Sequence, residues 1–296
     1  MSIRRICILF LCFVLSCSCL CVAQERTVID MTGRDVVLDG PVERVVALTA
    51  ADCEILCALG AGDTLVGRGE YCDYPVEVLE VPAVASGYET NLEQIIALAP
   101  DLVLMGTMDQ PVEQVNALEE AGISVLVSDA HDIEGVYRAI EMIGAALGKE
   151  TEAEALTESM RQGFAEIAAG VRETGKTVYF EVSPLEWGLW TAGSGTFMEE
   201  LAQMVGLENA FSDVQGWGEV SEEQVIQRDP DYIVTITMYF GEGPTPVEEI
   251  LGRGSWQNMK AVKNGAILNA DSNEISRPGP RLLDAAKTLQ TFVTKD

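Results

Sequence analysis

Two stretches of this chain, offset by 130 residues, repeat one another, and that repeat restricts the fold more than any other feature. Asn91-Leu-Glu-Gln-Ile-Ile-Ala-Leu-Ala-Pro-Asp-Leu-Val-Leu104 aligns without a gap on Ser221-Glu-Glu-Gln-Val-Ile-Gln-Arg-Asp-Pro-Asp-Tyr-Ile-Val234. Glu93/Glu223, Gln94/Gln224, Ile96/Ile226, Pro100/Pro230 and Asp101/Asp231 are identical. Each copy opens on a good helix cap with a glutamine three residues on, so both starts read as capping boxes. Each then breaks at Pro-Asp and enters an apolar run typical of a strand buried on both faces. A duplication of this kind means two copies of one arrangement rather than one continuously wound domain. At 296 residues the chain is long enough for each copy to have its own core.

Around the first copy, strand and helix signals alternate. Val28–Asp30 and Val36–Leu38 flank Thr32-Gly33 as a hairpin, and Val45–Leu48 is a buried strand. A helix capped by Thr49 runs to Gly60, and Leu65–Gly67 is a strand followed by the loop 70–75. Asn91–Leu98 and Pro111–Ala121 read as helices, and Asp101–Met105 and Ile123–Val127 as strands. Such alternation is the signature of a parallel sheet with helical crossovers. The middle of the chain breaks it with two apolar helical stripes, the second at Leu156, Met160, Phe164, Ile167 and Val171. A helix over Glu150–Glu173 would span about 36 Å, enough to lie along two domains. The upstream strand and helix ending in glycine recur too, at Gly60 and Gly206. The expected fold is α/β: two similar Rossmann-like lobes with mostly parallel sheets, at 27–148 and 176–296, joined by one long rigid helix within 149–175.

The first 23 residues read as an export signal, with Arg4 and Arg5 ahead of the apolar run Ile6–Leu15. Two processing sites compete. Val14-Leu15-Ser16-Cys17 resembles a lipoprotein signal in which Cys17 would be lipidated, whereas Cys21-Val22-Ala23 offers the small residues that ordinary signal peptidase reads. Cleavage after Ala23 would leave Cys53, Cys57 and Cys72, an odd number, so at least one thiol stays unpaired within the chain. Cys53 and Cys57, four apart on a helix, read as small buried residues.

Charge and composition exclude several functions. The formal net charge of −28 repels phosphate backbones and argues against nucleic acid as a partner. A single histidine, His131, removes most zinc chemistry and makes a ready-formed site for a bare divalent metal a poor reading. Next to Asp132, ahead of a helix, it reads as a surface or capping-region residue. Gly193-Ser194-Gly195 lacks the spacing of a nucleophile elbow, and no phosphate-binding glycine loop with lysine occurs. No intrinsic cofactor is expected. A cleft enzyme built on a carboxylate pair and a ligand sensor on the same scaffold remain as rival readings.

Between two such lobes, ligands bind where loops leave the carboxyl ends of the strands. These loops carry Thr49, Tyr71, Cys72, Tyr74, Tyr88 and Met108 in the first lobe. In the second they carry Trp187, Trp190, Ser194, Trp217, Tyr239, Phe240, Asp271 and Arg277. Aromatics are only 6% of the chain, so their concentration in loops suggests a wall for a large, flat ligand.

The paired Asn91-Leu-Glu-Gln and Ser221-Glu-Glu-Gln motifs, Tyr71-Cys-Asp-Tyr-Pro75, Trp217 shortly before Ser221, and Ser276-Arg-Pro-Gly-Pro-Arg281 together resemble the ABC-importer binding proteins for cobalamin and ferric siderophores. The resemblance covers essentially the whole mature chain. It implies the class III periplasmic binding protein fold, a shallow cleft that closes little, an extracytoplasmic location, and delivery to an ABC permease driven by its ATPase. It implies a ferric chelate, haem or cobalamin as ligand, with Tyr71, Trp190 and Trp217 stacking on it and Asp271 and Arg277 as polar contacts. Tyr74, Tyr88 and Tyr239 complete the expected ligand set. Two further aromatics of the family are replaced here, near Gly87 and Gly106. The resemblance also implies that Glu93 and Glu223 dock on arginines of the permease, against the simpler reading of carboxylates at helix N-termini.

Overall fold

In the computed structural model the described residues are 25–294, apart from 88–89, 108–111, 173, 240 and 242. The export segment with Cys17, and the loop residues Tyr88, Met108 and Phe240, lie outside them.

The apolar run after Arg44 becomes β3 (Val45–Ala47), buried at every position, as expected of a central parallel strand. Before it, β1 (Arg26–Ile29) and β2 (Asp35–Leu38) form the antiparallel hairpin. After it come α1 (Ala50–Ala58), β4 (Leu65–Gly69), β5 (Ala83–Val84), α2 (Leu92–Ala97), β6 (Leu102–Gly106), α3 (Val112–Glu120) and β7 (Ser124–Ser128). The first sheet has the order β5-β4-β3-β6-β7, parallel throughout. Two helices follow, α4 (Ile133–Leu147) and α5 (Glu150–Ala169). The second lobe contains β8 (Thr177–Glu181), β9 (Trp190–Ala192), α6 (Phe197–Met204), β10 (Glu208–Asn209), β11 (Trp217–Glu219), α7 (Glu222–Arg228) and β12 (Tyr232–Thr235). It ends with α8 (Pro246–Gly252), α9 (Lys260–Asn264), β13 (Ile267–Asn269), α10 (Ser272–Ile275) and α11 (Leu282–Val293). Its main sheet, β10-β8-β12-β13, is also parallel.

The repeat has a structural meaning in each lobe. Asp101 Oδ2 accepts the backbone N–H of Glu43 and Arg44, and Asp231 Oδ2 accepts that of Thr177. Each aspartate thus ties the entry of its own strand to that of the neighbouring first strand, β3 or β8. Ala99 and Asp229, both at φ 45°, turn the chain at the same step before the proline. The two sheets correspond strand for strand, with β4, β3, β6 and β7 matching β10, β8, β12 and β13.

Helix α5 connects the lobes. Its residues Ala153, Thr157, Met160, Phe164 and Ile167 are buried, and its 20 residues make it about 30 Å long. It packs on α4 at one end and α11 at the other, where a Cβ on Gly163 would come within 2.7 Å of Leu283 Cδ2. The helix stops at Ala169 rather than Glu173, because Gly170 is a poor residue for propagating a helix and forms its C-cap. Among the described residues no helix is long and apolar enough to cross a membrane.

Candidate functional site

A loop that leaves a parallel strand emerges at the sheet's carboxyl edge, and two ties show that these edges of the two lobes meet. In the first tie, Glu54 on α1 is held by two arginines from the segment between α10 and α11. Arg281 donates to its carboxylate from Nε at 2.8 Å and from Nη2 at 2.6 Å, and Arg277 Nη1 donates at 3.0 Å. Arg277 also donates to Asp73 Oδ1 at 2.6 Å and to the Tyr71 carbonyl at 3.1 Å. The Arg281 guanidinium lies 4.2 Å from the centre of the Tyr74 ring. In the second tie, Phe197 N–H donates to the His131 carbonyl at 2.8 Å, and Glu200 accepts the Ile133 N–H at 2.6 Å, joining the start of α4 to α6. Burial raises the Glu200 carboxyl pKa above the usual range. Exposed aromatics stand beside these ties, Tyr71 and Tyr74 at the first and Trp217 at the second.

Trp190 and Trp217 stand together. The sequence placed both in loops, but they belong to a two-stranded antiparallel sheet in which Trp190 faces Glu219 and Trp217 faces Ala192. Alternation along the strands puts Trp190, Ala192, Trp217 and Glu219 on one face, with the two indoles diagonal to each other. Strands of three residues paired across a long insertion leave no periodic trace in the sequence. Both indoles stay accessible, at 42% and 39%, and Trp217 packs edge-on against Phe197 with ring centroids 5.7 Å apart. Tyr71 is 76% exposed on the opposite lobe, and Trp187, Met238 and Tyr239 are exposed on loops after β8 and β12.

Other expected site residues are already engaged. The Arg277 side chain is only 13% exposed and is committed to Glu54 and Asp73, so its charge is spent between the lobes. Asp271 caps α10, with Oδ1 accepting the Asn273 N–H at 2.8 Å. Tyr74 is exposed on one side and covered by Arg281 on the other. Cys72 is buried rather than lining the edge. Thr49 caps α1 and turns its hydroxyl to Asp52 at 2.6 Å. His131 is exposed, with Nε2 at 3.1 Å from Asp129 Oδ1, while the Asp132 side chain forms the cap of α4.

Beneath each edge lies a buried acid that the sequence did not reveal. In the first lobe Asp52 accepts from the Thr49 and Ser128 hydroxyls, its Oδ1 has no partner among the described residues, and burial pushes its pKa up to about 6. In the second lobe Glu181, at the end of β8, is matched by Arg253 through bonds of 2.7 and 2.9 Å. The roles of Glu54, Asp52 and Glu181 depend on partners far away in the chain, for which sequence spacing carries no signal. Among the described residues no group of three His, Cys, Asp or Glu side chains is arranged to hold a metal ion.

Glu93 and Glu223 are exposed in the first turns of α2 and α7. A helix that feeds a parallel strand starts at that sheet's carboxyl edge, so both acids border the same edges as the aromatics. Their surroundings differ in one respect. Ser221 and Gln224 complete a capping box, but Asn91 makes only half of one. The Asn91 N–H is already taken by the Ala85 carbonyl, and the Gln94 side chain donates to the Ala83 carbonyl instead. The Glu223 pKa is lowered, first by a hydrogen bond from its own backbone N–H and then by Ser221.

Comparison with known proteins agrees with this architecture. A Bacillus subtilis protein described as an uncharacterized ABC transporter substrate-binding lipoprotein is 34% identical over 277 residues, covering 91% of this chain and 86% of the relative. The crystal structure of the periplasmic vitamin B12 binding protein of Vibrio cholerae superposes with a TM-score of 0.73 at 26% identity, covering 86% of this chain and 97% of that one. A structure described as an ABC-type Fe3+-hydroxamate transport system, from Saccharomonospora viridis, gives 0.74 at 26% identity, covering 90% and 98%. The family model described as periplasmic binding protein matches residues 45–274. With its two duplicated lobes, rigid connecting helix and aromatic edge, the chain belongs to the periplasmic binding protein family, whose members are extracytoplasmic solute-capturing proteins and not enzymes.

Proposed function

We propose that this protein captures a bulky metal chelate, a corrinoid, haem or ferric siderophore, and delivers it to the permease and ATPase of an ABC importer. The observation that carries this reading is the placing of accessible aromatics from both lobes, Tyr71 on one and Trp190, Trp217 and Tyr239 on the other, along edges held together by two ties. Flat or macrocyclic ligands gain from such faces, which offer large contact areas at little cost in side-chain entropy. The vitamin B12 and Fe3+-hydroxamate descriptions of the structural neighbours support the same ligand class. Tyr71, Trp190, Trp217 and Tyr239 form the contact set, with Tyr74 on the first lobe and Asp271 at its margin. Arg277 serves the ligand indirectly, by fixing the backbone of Tyr71.

Titrating tryptophan fluorescence of the mature protein with cobalamin, haemin and a panel of ferric siderophores tests the reading. Saturable quenching by one member, with the ligand recovered unchanged, is expected. No response to any of them would overturn it.

Glu93 and Glu223, one per lobe and equivalent by the repeat, form the charge pair that docks on basic residues of the permease. The anchor is a lipid on Cys17, which fits the lipoprotein description of the Bacillus relative. Mass spectrometry of the exported protein should find a lipidated N-terminal cysteine. A mature chain beginning at Gln24 would instead show ordinary signal cleavage.

A further inference from the structure

The two accessible indoles share their face with one ionisable group. Glu219 pairs directly opposite Trp190 across the β9–β11 ladder, and Trp217 lies two residues before it on the same strand. Side chains opposite each other in an antiparallel pair lie on one face, with Cβ atoms about 4.5–5.5 Å apart. The Glu219 carboxylate reaches back to the turn before β9, where a Cβ on Gly188 would lie 3.9 Å from its Oε1. Glu219 is exposed, and among the described residues no hydrogen bond or ion pair engages its carboxylate. A ligand that covers both indoles therefore covers Glu219 as well, strips its water and has to satisfy it.

Matching positive charge is already used up along this edge. Residues 48–49, 70–82, 85–91, 107–111 and 129–132, which leave the strands of the first lobe, contain no arginine or lysine. Residues 182–189, 210–216, 236–245 and 270–281 of the second contain Arg277 and Arg281 alone. Both are spent in the first tie, Arg277 on Glu54 and Asp73, and Arg281 on Glu54 and the Tyr74 face. Farther in, Arg68 donates to the carbonyls of Gly69, Glu70 and Cys72, and buried Arg253 is matched by Glu181 and Glu249. His131, at the second tie, stands 3.1 Å from Asp129, which answers any proton it gains. The acidic chain as a whole, at a formal −28, adds to the same field.

We infer that the aromatic edge selects chelates that are uncharged or cationic and bear N–H donors at their rim, with Glu219 as the residue that accepts from those donors and turns anionic chelates away. This narrows the chelate-capture reading above and rests on it. A rim amide or ammonium donating to Glu219 makes a charge-assisted hydrogen bond, shielded from water by the indoles beside it. Carboxylates or catecholates on a ligand bring like charge to the same place. Repulsion there acts in a lower dielectric than water, and no cation is free to compensate it.

Five probes test the selection on the mature protein, by tryptophan quenching and calorimetry. Cyanocobalamin and ferrichrome are uncharged with amides at the rim, and ferrioxamine B is a cation. Haemin carries two propionates, and ferric enterobactin is a trianion. One of the first three is expected to bind about 100-fold or more tightly than either of the last two. Glu219→Gln should weaken that ligand about tenfold. Glu219→Lys should weaken it at least as much and tighten haemin about tenfold or more, a gain that misfolding cannot produce. Wild-type protein that prefers haemin or ferric enterobactin would overturn the inference and leave chelate capture standing. Glu219→Lys that alters neither affinity would overturn the role given to Glu219. Binding of none of the five would overturn chelate capture itself, and this inference with it.

Discussion

Glu54→Ala should destabilise this protein more than any other single change of a charged residue at the lobe junction. The carboxylate is 3% exposed and accepts three hydrogen bonds from two guanidiniums that are themselves 13% and 14% exposed. Removing one member of a buried ionic cluster leaves the partners desolvated, at a cost of about 3–5 kcal/mol. The structure points to the lower part of that range. Arg277 would keep Asp73 and the Tyr71 carbonyl, so only Arg281 loses its main partner, keeping the Asn273 carbonyl and the Tyr74 face. A loss of about 3 kcal/mol is therefore expected, or roughly 6–12 °C in midpoint for a domain of this size. Arg277→Met should cost less, because Glu54 retains Arg281 and the half-exposed Asp73 returns to water. The triple replacement Glu54→Leu, Arg277→Met, Arg281→Met should recover most of the loss, since it removes the charges together. Differential scanning calorimetry and urea denaturation measure all four proteins. With the tie gone, the calorimetric transition should also broaden or split as the lobes unfold less cooperatively. Glu54→Ala costing under about 1 kcal/mol, with the triple variant no better than the single, would refute this account of the junction.

Three other outcomes follow from the same geometry. Burial pushes the Asp52 pKa up to about 6 from an ordinary value of 3.8, so its proton favours the native state, and stability should fall as pH rises through about 4 to 6. Asp52→Asn should flatten that window in urea titrations and raise stability at pH 7.5 by up to about 3 kcal/mol; an unchanged pH profile would mean the carboxyl titrates normally. Trp217→Ala and Trp190→Ala should each weaken chelate binding about tenfold or more by fluorescence or calorimetric titration, with less than additive loss in the pair because the indoles share one face. Reversing Glu93 and Glu223 together to Lys should leave ligand affinity nearly unchanged and sharply reduce uptake by the reconstituted importer, and undiminished uptake would return both acids to a capping role.

The sequence by itself determined the architecture, because duplication, strand burial and helix capping are local or periodic properties. The Asn91 and Ser221 motifs, the buried run after Arg44 and the stripe from Leu156 to Ile167 each declare their element through nearby residues. It also pointed to the stretches of chain that carry the exposed aromatics, since so many aromatics there conflict with the needs of a core. What it could not decide is which side chain in those stretches is free. Arg277 looked available to a ligand, yet a glutamate 223 positions away on α1 binds it. The pairing of β9 with β11 brings two tryptophans 27 residues apart onto one face. Such partnerships arise only when the chain has closed long loops and excluded water around opposite charges. The energies that select them are tertiary, and no local pattern encodes them.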